Sequence, residues 1–456
     1  MTDLPSQHPE QTPEPAVSLW QPFLTNRNFR LLAIGETVSN FGDQFYFVAL
    51  PWLTLQLTGS PLDLGAVLMT VAIPRAILMV LGGALSDRLS PRNVMLISNG
   101  LRVVLTAILA ALVGFQATQL WHLYLLAFSF GVIEGFFSPA AEAIVPTLVS
   151  KDQLVASNVL GQSANQLILF IGPALAGAVI AAVGVGAAFT IDALSFLVSS
   201  TALLLIHPRR SPSLTSPTAH SCCASDSSAA NLSAVDSSAV DSSAVDSSAV
   251  TNGAPKGLML DISEGLQYSW QNRPLRALLL SLTVYNFLFI GPLQVGIVAL
   301  AQDRFAAAGA LALGIAISAW GAGGLLGSLL PQWIPNLPPL GTLMLLLASI
   351  QGIGMVAMSF VPHWLLASLV SLVLGGCSSF FILIATTWIQ KKTPPEILGR
   401  VMGVSLLASL GVTPFSYALA GILANVNLLT LFGGTGLAMI IFSALLTLSP
   451  TVRKIS

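Results

Sequence analysis

Hydrophobic and polar positions along this chain come in long blocks, not in short periods. After a polar, proline-rich start, apolar blocks run from about Leu31 to Leu57, Leu62 to Leu85, Asn93 to Phe115, Leu120 to Ile144, Leu154 to Val183 and Gly186 to Ile206. A polar tract follows. Six further blocks then run from about Leu275 to Ala301, Leu311 to Leu330, Leu340 to Val361, Trp364 to Ile389, Leu398 to Ala424 and Leu428 to Leu448. Each is near or above the ~20 residues that a helix needs to cross a hydrocarbon core about 30 Å thick. In such a core the backbone must bond within its own segment, so blocks of this length predict α-helices. The pattern predicts an all-α membrane protein with twelve transmembrane helices.

The polar tract is of a different kind. His207 to about Asp261 is rich in Ser, Ala, Pro and Asp, and repeats Ala-Val-Asp-Ser-Ser in tandem between Ala234 and Val250. It has too little apolar surface to offset chain entropy, so it reads as a disordered spacer. From Asp261 to Arg276 the pattern predicts a surface helix with Ile262, Leu266, Tyr268 and Trp270 against membrane or protein, broken at Asn272-Arg273-Pro274. The expected organisation is a tail (1–28), a six-helix half (29–206), a linker (207–261), a second half led by the surface helix (262–449) and a short tail (450–456).

The halves resemble each other. At an offset of 244 residues Ala174-Leu175-Ala176-Gly177 repeats as Ala418-Leu419-Ala420-Gly421, Phe136-Phe137 as Phe380-Phe381 and Gly131 as Gly375. Gly83 falls on Gly327, but Asp87-Arg88 fall on Pro331-Gln332. A shared offset over several helices points to two six-helix pseudo-repeats.

Composition narrows the class further. The 456 residues are 54% hydrophobic and only 8% charged, against about 25% charged in a soluble domain. Basic residues are too few and scattered to track phosphates, so no nucleic-acid partner is expected. The three cysteines, Cys222, Cys223 and Cys377, show no disulfide framework or metal-ligand spacing. No P-loop is present, and no catalytic cluster marks the water interface. Metal, cofactor and enzymatic activity are therefore not expected. Residues 1–28 lack an apolar core with a cleavage site, so no signal peptide is expected. With both termini and the linker on one side, that side receives fifteen of the eighteen Lys and Arg residues. The positive-inside rule makes it the cytoplasm and the membrane the cell membrane.

Few charges lie inside the blocks, and an intramembrane ionisable residue is a functional candidate by default. The first half holds Glu36, Asp43, Arg75, Arg102, Glu134, Glu142 and Asp192; the second offers neutral Tyr285, Asn286, Gln294, Gln351 and Ser378. Glu36 and Asp43, seven apart, share one helix face. Asp43, Glu134 and Glu36 are the candidate proton carriers. Arg75 and Arg102 are equally deep, so pairing of two of these acids for structure alone is the competing reading. Asp192 reads as structural.

Several stretches resemble the major facilitator superfamily. The charged knot from Gly83 through Asp87, Arg88 and Arg92 is similar to the loop joining that family's second and third helices. Asn28-Phe29-Arg30, Ser39-Asn40-Phe41-Gly42-Asp43, Asp192-Ala193-Leu194-Ser195-Phe196, Glu264-Gly265-Leu266 and Gly399-Arg400-Val401-Met402-Gly403 resemble its drug:proton antiporter branch. That branch includes macrolide-efflux-type and enterobactin-exporter-type proteins. Gly172-Pro173-x-x-x-Gly177 resembles the branch's antiporter motif. One departure is that the fourth helix, with Phe130-Gly131-Val132-Ile133-Glu134-Gly135, lacks the arginine such antiporters often carry there.

The resemblance implies a monomeric secondary transporter in the bilayer, exporting amphiphilic drug-like molecules against protons by alternating access. It implies a cytoplasmic latch between Asp87 and Arg400, a seal at Gly172, Pro173 and Gly177, and a cavity lined by Phe41, Phe136, Tyr285, Asn286 and Phe380. The alternatives are a siderophore or lysophospholipid transporter of the same fold, and a transport-inactive receptor or scaffold.

Overall fold

The computed structural model describes residues 19–86, 90–206, 258–305, 308–333 and 338–447. These are helical almost throughout, with no strand among the described residues. A short α1 (Gln21–Thr25) leads into α2 (Arg27–Thr58), α3 (Pro61–Ser86), α4 (Pro91–Gly114), α5 (Leu120–Leu148), α6 (Lys151–Val183) and α7 (Val185–Leu205). After the tract come α8 (Leu258–Gln271), α9 (Arg273–Asp303), α10 (Gly309–Trp333), α11 (Leu340–Met358), α12 (Trp364–Lys392), α13 (Pro395–Leu410), α14 (Thr413–Val426), a π turn (Leu429–Gly433) and α15 (Gly434–Thr447).

Local chemistry sets these boundaries. Gly59 ends α2 in the left-handed region, φ 64°, where glycine carries no Cβ penalty. The Asn26 side chain caps the start of α2, accepting from the Asn28 and Phe29 N–H groups. Asn272 likewise accepts from the Leu275 N–H, with Pro274 in the first turn of α9. The expected eleventh span divides in two. Pro414 sits in the first turn of α14, where its missing N–H costs nothing, so α13 and α14 are separate helices. The surface helix begins at Leu258, so residues 258–261 of the expected linker are helical. Residues 207–257 lie outside the described residues, as do Asp87 and Arg88.

Among the described residues, eleven segments are long and apolar enough to cross a membrane, α13 with α14 counting as one. The twelfth expected span, α2, has 32 residues and so the length to cross, about 48 Å at 1.5 Å per residue. It is not among the eleven; Glu36, Asn40, Asp43 and Gln44 interrupt its apolar run.

Helices α2 to α7 pack mainly on one another, through α3–α5, α2–α7, α4–α7 and α2–α6; α9 to α15 do likewise, through α10–α12, α11–α15 and α9–α14. Two pairs, α6–α10 and α3–α14, join the groups most extensively. Because the chain reverses at each turn, one end of the bundle gathers Arg27, Arg30, Arg92, Lys391, Lys392 and Arg400. This is called the basic end here, and the other the far end.

The joints lie toward the far end. Gly177 of α6 and Gly314 of α10 cross so closely that a Cβ on Gly177 would meet the Ala310 carbonyl and Gly314 Cα. Gly65 of α3 meets Tyr417 O and Gly421 of α14 in the same way. Such contacts are how membrane helices approach backbone to backbone. Toward the basic end of these elements, a Cβ on Gly161, Gly399 or Gly403 would meet nothing within 4 Å.

Candidate functional site: a buried charge cluster

Four helices of the first group each turn a polar stripe toward one another. On α4, Asn99, Arg102 and Thr106 are buried at helical spacing. On α2, Glu36, Ser39, Asp43 and Tyr46 follow the same period; Ser39 and Tyr46 are buried, Glu36 and Asp43 half-buried. On α7, Asp192, Ser195 and Ser199 are buried. Glu134 and Ser138 come from α5.

Arg102 is the centre. It is 1% exposed. Its guanidinium carbon lies 4.3 Å from the Phe137 ring centroid and 5.2 Å from that of Phe196, both cation–π distances. Arg102 Nη2 donates to Glu134 Oε2 in a close ion pair. Glu134 Oε1 accepts from Ser138 Oγ at 3.1 Å and lies 3.9 Å from Arg75 Nη2. Besides Glu134, the Arg102 charge acts on Asp43, Asp192 and Glu36. Asn99 Nδ2 donates to Ser199 Oγ at 2.9 Å and ties α4 to α7.

Many polar atoms of the cluster are buried without a hydrogen-bond partner. They include Glu36 Oε1, Ser39 Oγ, Tyr46 Oη, Asn99 Oδ1, Arg102 Nε and Nη1, and both Asp192 oxygens. Interiors normally satisfy such groups, so this concentration sets the region apart. The cluster has a graded exposure: the Arg75 and Glu134 side chains are 37% and 27% exposed, while Asp192 is fully buried.

At the matching depth the second group uses neutral side chains. Gln351 Nε2 donates to Tyr285 Oη at 2.9 Å, and Tyr285 Oη donates to Ser378 Oγ at 3.1 Å. Ser378 stands 244 residues after Glu134, so at the repeat offset a neutral hydroxyl replaces the paired carboxylate. Of the expected lining residues, Tyr285, Asn286 and Phe380 are buried within this group, while Phe41 and Phe136 are half-buried. Phe41 packs edge-on against Phe45, centroids 5.5 Å apart.

The remaining candidates fall at the helix joints. Arg92 Nε and Nη2 donate to the Leu203 and Leu204 carbonyls at 2.8 and 3.0 Å and cap α7. Arg400 Nη1 pairs with Glu264 Oε2 at 2.6 Å, and α8 rests on α13 with Gly265 against the Arg400 backbone. Asp87, the other side of the expected latch, lies outside the described residues, and Gly83 lies in α3. Gly172 abuts Gln44 of α2. Pro173 leaves the Leu169 carbonyl without its helical donor, and Gly321 of α10 approaches that carbonyl. Ser318 of α10 accepts from the Ala174 N–H at 2.8 Å. The glycine-proline motif is thus built into the α6–α10 joint.

Sequence reasoning noted Arg102 and Glu134 but did not join Asn99, Tyr46 or Asp192 to them. The available signal was the shared helical spacing of polar residues on α2, α4 and α7.

A helical bundle that crosses a membrane repeatedly, in two groups joined by helix pairs and with ionisable groups at its heart, has the architecture of a membrane transporter. Residues 32–416 match the model of the Major Facilitator Superfamily, and the chain belongs to that superfamily. It is 24% identical to the multidrug efflux pump Tap of Mycolicibacterium fortuitum, over 93% of this chain and 96% of that protein. It is 21% identical to macrolide efflux protein A of Streptococcus pyogenes, over 83% and 84%. Among solved structures it resembles a point mutant of the nucleoside transporter NupG (TM-score 0.66, 13% identity, 92% of this chain and 98% of that one). It also resembles a bacterial homologue of the iron transporter ferroportin in an inward-facing state (TM-score 0.65, 16% identity, 93% and 98%). At these identities the structures speak for the fold.

Proposed function

We propose that this chain exports amphiphilic, drug-like small molecules and that proton movement through the α2/α4/α5/α7 cluster drives the export. The observation that carries the reading is a charge imbalance. Four carboxylates (Glu36, Asp43, Glu134 and Asp192) share the cluster with two arginines, Arg75 and Arg102. An unbalanced charge inside a membrane protein is costly. A bound proton, or a cationic substrate that displaces one, restores the balance. Glu134 is held by both arginines; Asp43 and Glu36 have no arginine of their own and are the preferred carriers. Export of amphiphiles is supported by kinship to efflux pumps over nearly the whole chain.

In this reading the basic end is cytoplasmic, with both termini and the linker, and the far end is outside. Residues 29–206 and 262–449 move as two units. The close glycine contacts of the α6–α10 and α3–α14 joints at the far end, with open glycines on α6 and α13 at the basic end, support a conformation closed to the outside. The expected latch between Asp87 and Arg400 belongs to the basic end.

The test uses inverted membrane vesicles with an imposed proton gradient, a pH-sensitive dye, and a panel of macrolides, cationic dyes, siderophores and lysolipids. Wild type should release protons when a macrolide or dye is added, and Asp43→Asn should not. Proton release with siderophores or lysolipids alone would move the substrate class. Accumulation of a compound without proton movement would remove proton coupling, and absence of any transport would favour a receptor.

A further inference from the structure

We infer that Asp192 is a second partner for Arg102, so that one guanidinium serves Glu134 and Asp192 in turn and couples proton uptake at one to proton release at the other. This rests on the reading of the cluster as a proton-coupling site. Arg102 engages Glu134 through Nη2, and its Nε and Nη1 are buried without an acceptor. Asp192 is 0% exposed, and neither carboxylate oxygen has a donor. Unused donors and unused acceptors thus lie at one helix junction, between α4 and α7. Asn99 and Ser199 close that junction on one side, and Phe196, one turn from Asp192, lies against the guanidinium.

Among the described residues, the neighbours of Asp192 leave no other cation for it. From α2 it faces Gly42, where an added Cβ would lie 3.1 Å from Oδ1. Asp43 and Tyr46 of α2 and Arg102 of α4 stand within range of its charge. Glu134 reaches the site from α5 through Arg102, and Ser195 of α7 turns its hydroxyl onto the Asp192 carbonyl, 2.8 Å away. A carboxyl kept only for packing would have its oxygens satisfied by such hydroxyls.

The exchange balances. When Glu134 takes a proton from water at the exposed edge, it releases the guanidinium. Arg102 then swings to Asp192, whose proton leaves through half-buried Asp43. One proton is bound, one is released, and the cluster charge is unchanged. On the return swing the proton passes from Glu134 to Asp192, which resets both acids and leaves one proton carried through the cluster.

The experiment reconstitutes the full chain in proteoliposomes, with erythromycin and ethidium as probes, for wild type, Asp192→Asn and Asp43→Asn. Two readouts are taken: proton release on adding a probe, and exchange of labelled for unlabelled probe at equal concentrations, which needs no net proton flux. Asp192→Asn should lose proton release and keep exchange. Proton release at the wild-type rate in Asp192→Asn would overturn the inference. If Asp43→Asn alone loses it, the coupling site itself still stands. No proton release in wild type would remove the coupling reading and the inference together. Should Asp192→Asn lose both readouts, infrared spectra of aspartate-labelled protein decide. Erythromycin should change a protonated aspartyl band in wild type and in Asp43→Asn, and no such change in either would overturn the inference.

Discussion

Arg102 decides most at the scale of single residues. It is buried, flanked by Phe137 and Phe196, and holds Glu134. Removing one partner of such a pair strands the other, at a cost of about 3–5 kcal/mol. Arg102→Met should therefore lower the unfolding temperature in detergent markedly. Arg102→Met with Glu134→Gln should recover part of the loss, because the buried pair is neutralised together, while Arg75 loses its partner. The Arg400–Glu264 pair should behave differently. Its side chains are 31% and 49% exposed, so Glu264→Gln should change stability by no more than about 1 kcal/mol in the same measurement. Residue-scale legibility in the sequence was uneven. The seven-residue spacing of Glu36 and Asp43 announced a shared face, and it is met. Asp192 read as structural because its helix is usually peripheral in the superfamily the chain resembles, and its meeting with α2 and α4 is tertiary.

At the scale of elements, the joints α6–α10 and α3–α14 set the conformation. Gly177 and Gly314 touch backbone to backbone, and a side chain at either would force the helices apart. Gly177→Leu should open the far end. With Cys222, Cys223 and Cys377 replaced by serine, a cysteine at Gln302 should then react faster with an impermeant maleimide. Gly403→Leu meets open space here and should leave that reactivity low or lower it further. The apolar blocks predicted most helices to within a few residues, since length in hydrocarbon is a strong constraint. The division of α13 from α14 was visible in Pro414 but outweighed by the apolar run around it. The resemblance supplied the glycine-proline motif; its use against α10 needed the fold, because Ser318 and Gly321 lie 145 and 148 residues from Pro173 in sequence.

At the scale of the whole molecule, duplication and charge part company. The helix order and the offset of 244 residues repeat, yet the first group carries the ion cluster and the second answers it with Tyr285, Gln351 and Ser378. The architecture was legible because helix count and topology follow from hydropathy alone. Which group would hold the buried charges was legible too, since charge is scarce enough in this chain to map by eye.

The low hydropathy of α2 bears on how the chain is made. Its stabilising neighbours, Arg102 on α4 and the α7 stripe, are synthesised well after it. Until they arrive, Glu36 and Asp43 have no partner in the bilayer, and α2 is a poor client for the insertion machinery. Its residence in the membrane should therefore be settled late and jointly. Chains truncated after α3 should leave α2 partly outside the bilayer, and chains extended through α7 should retain it. Glycosylation sites engineered around Gly59 would report the difference.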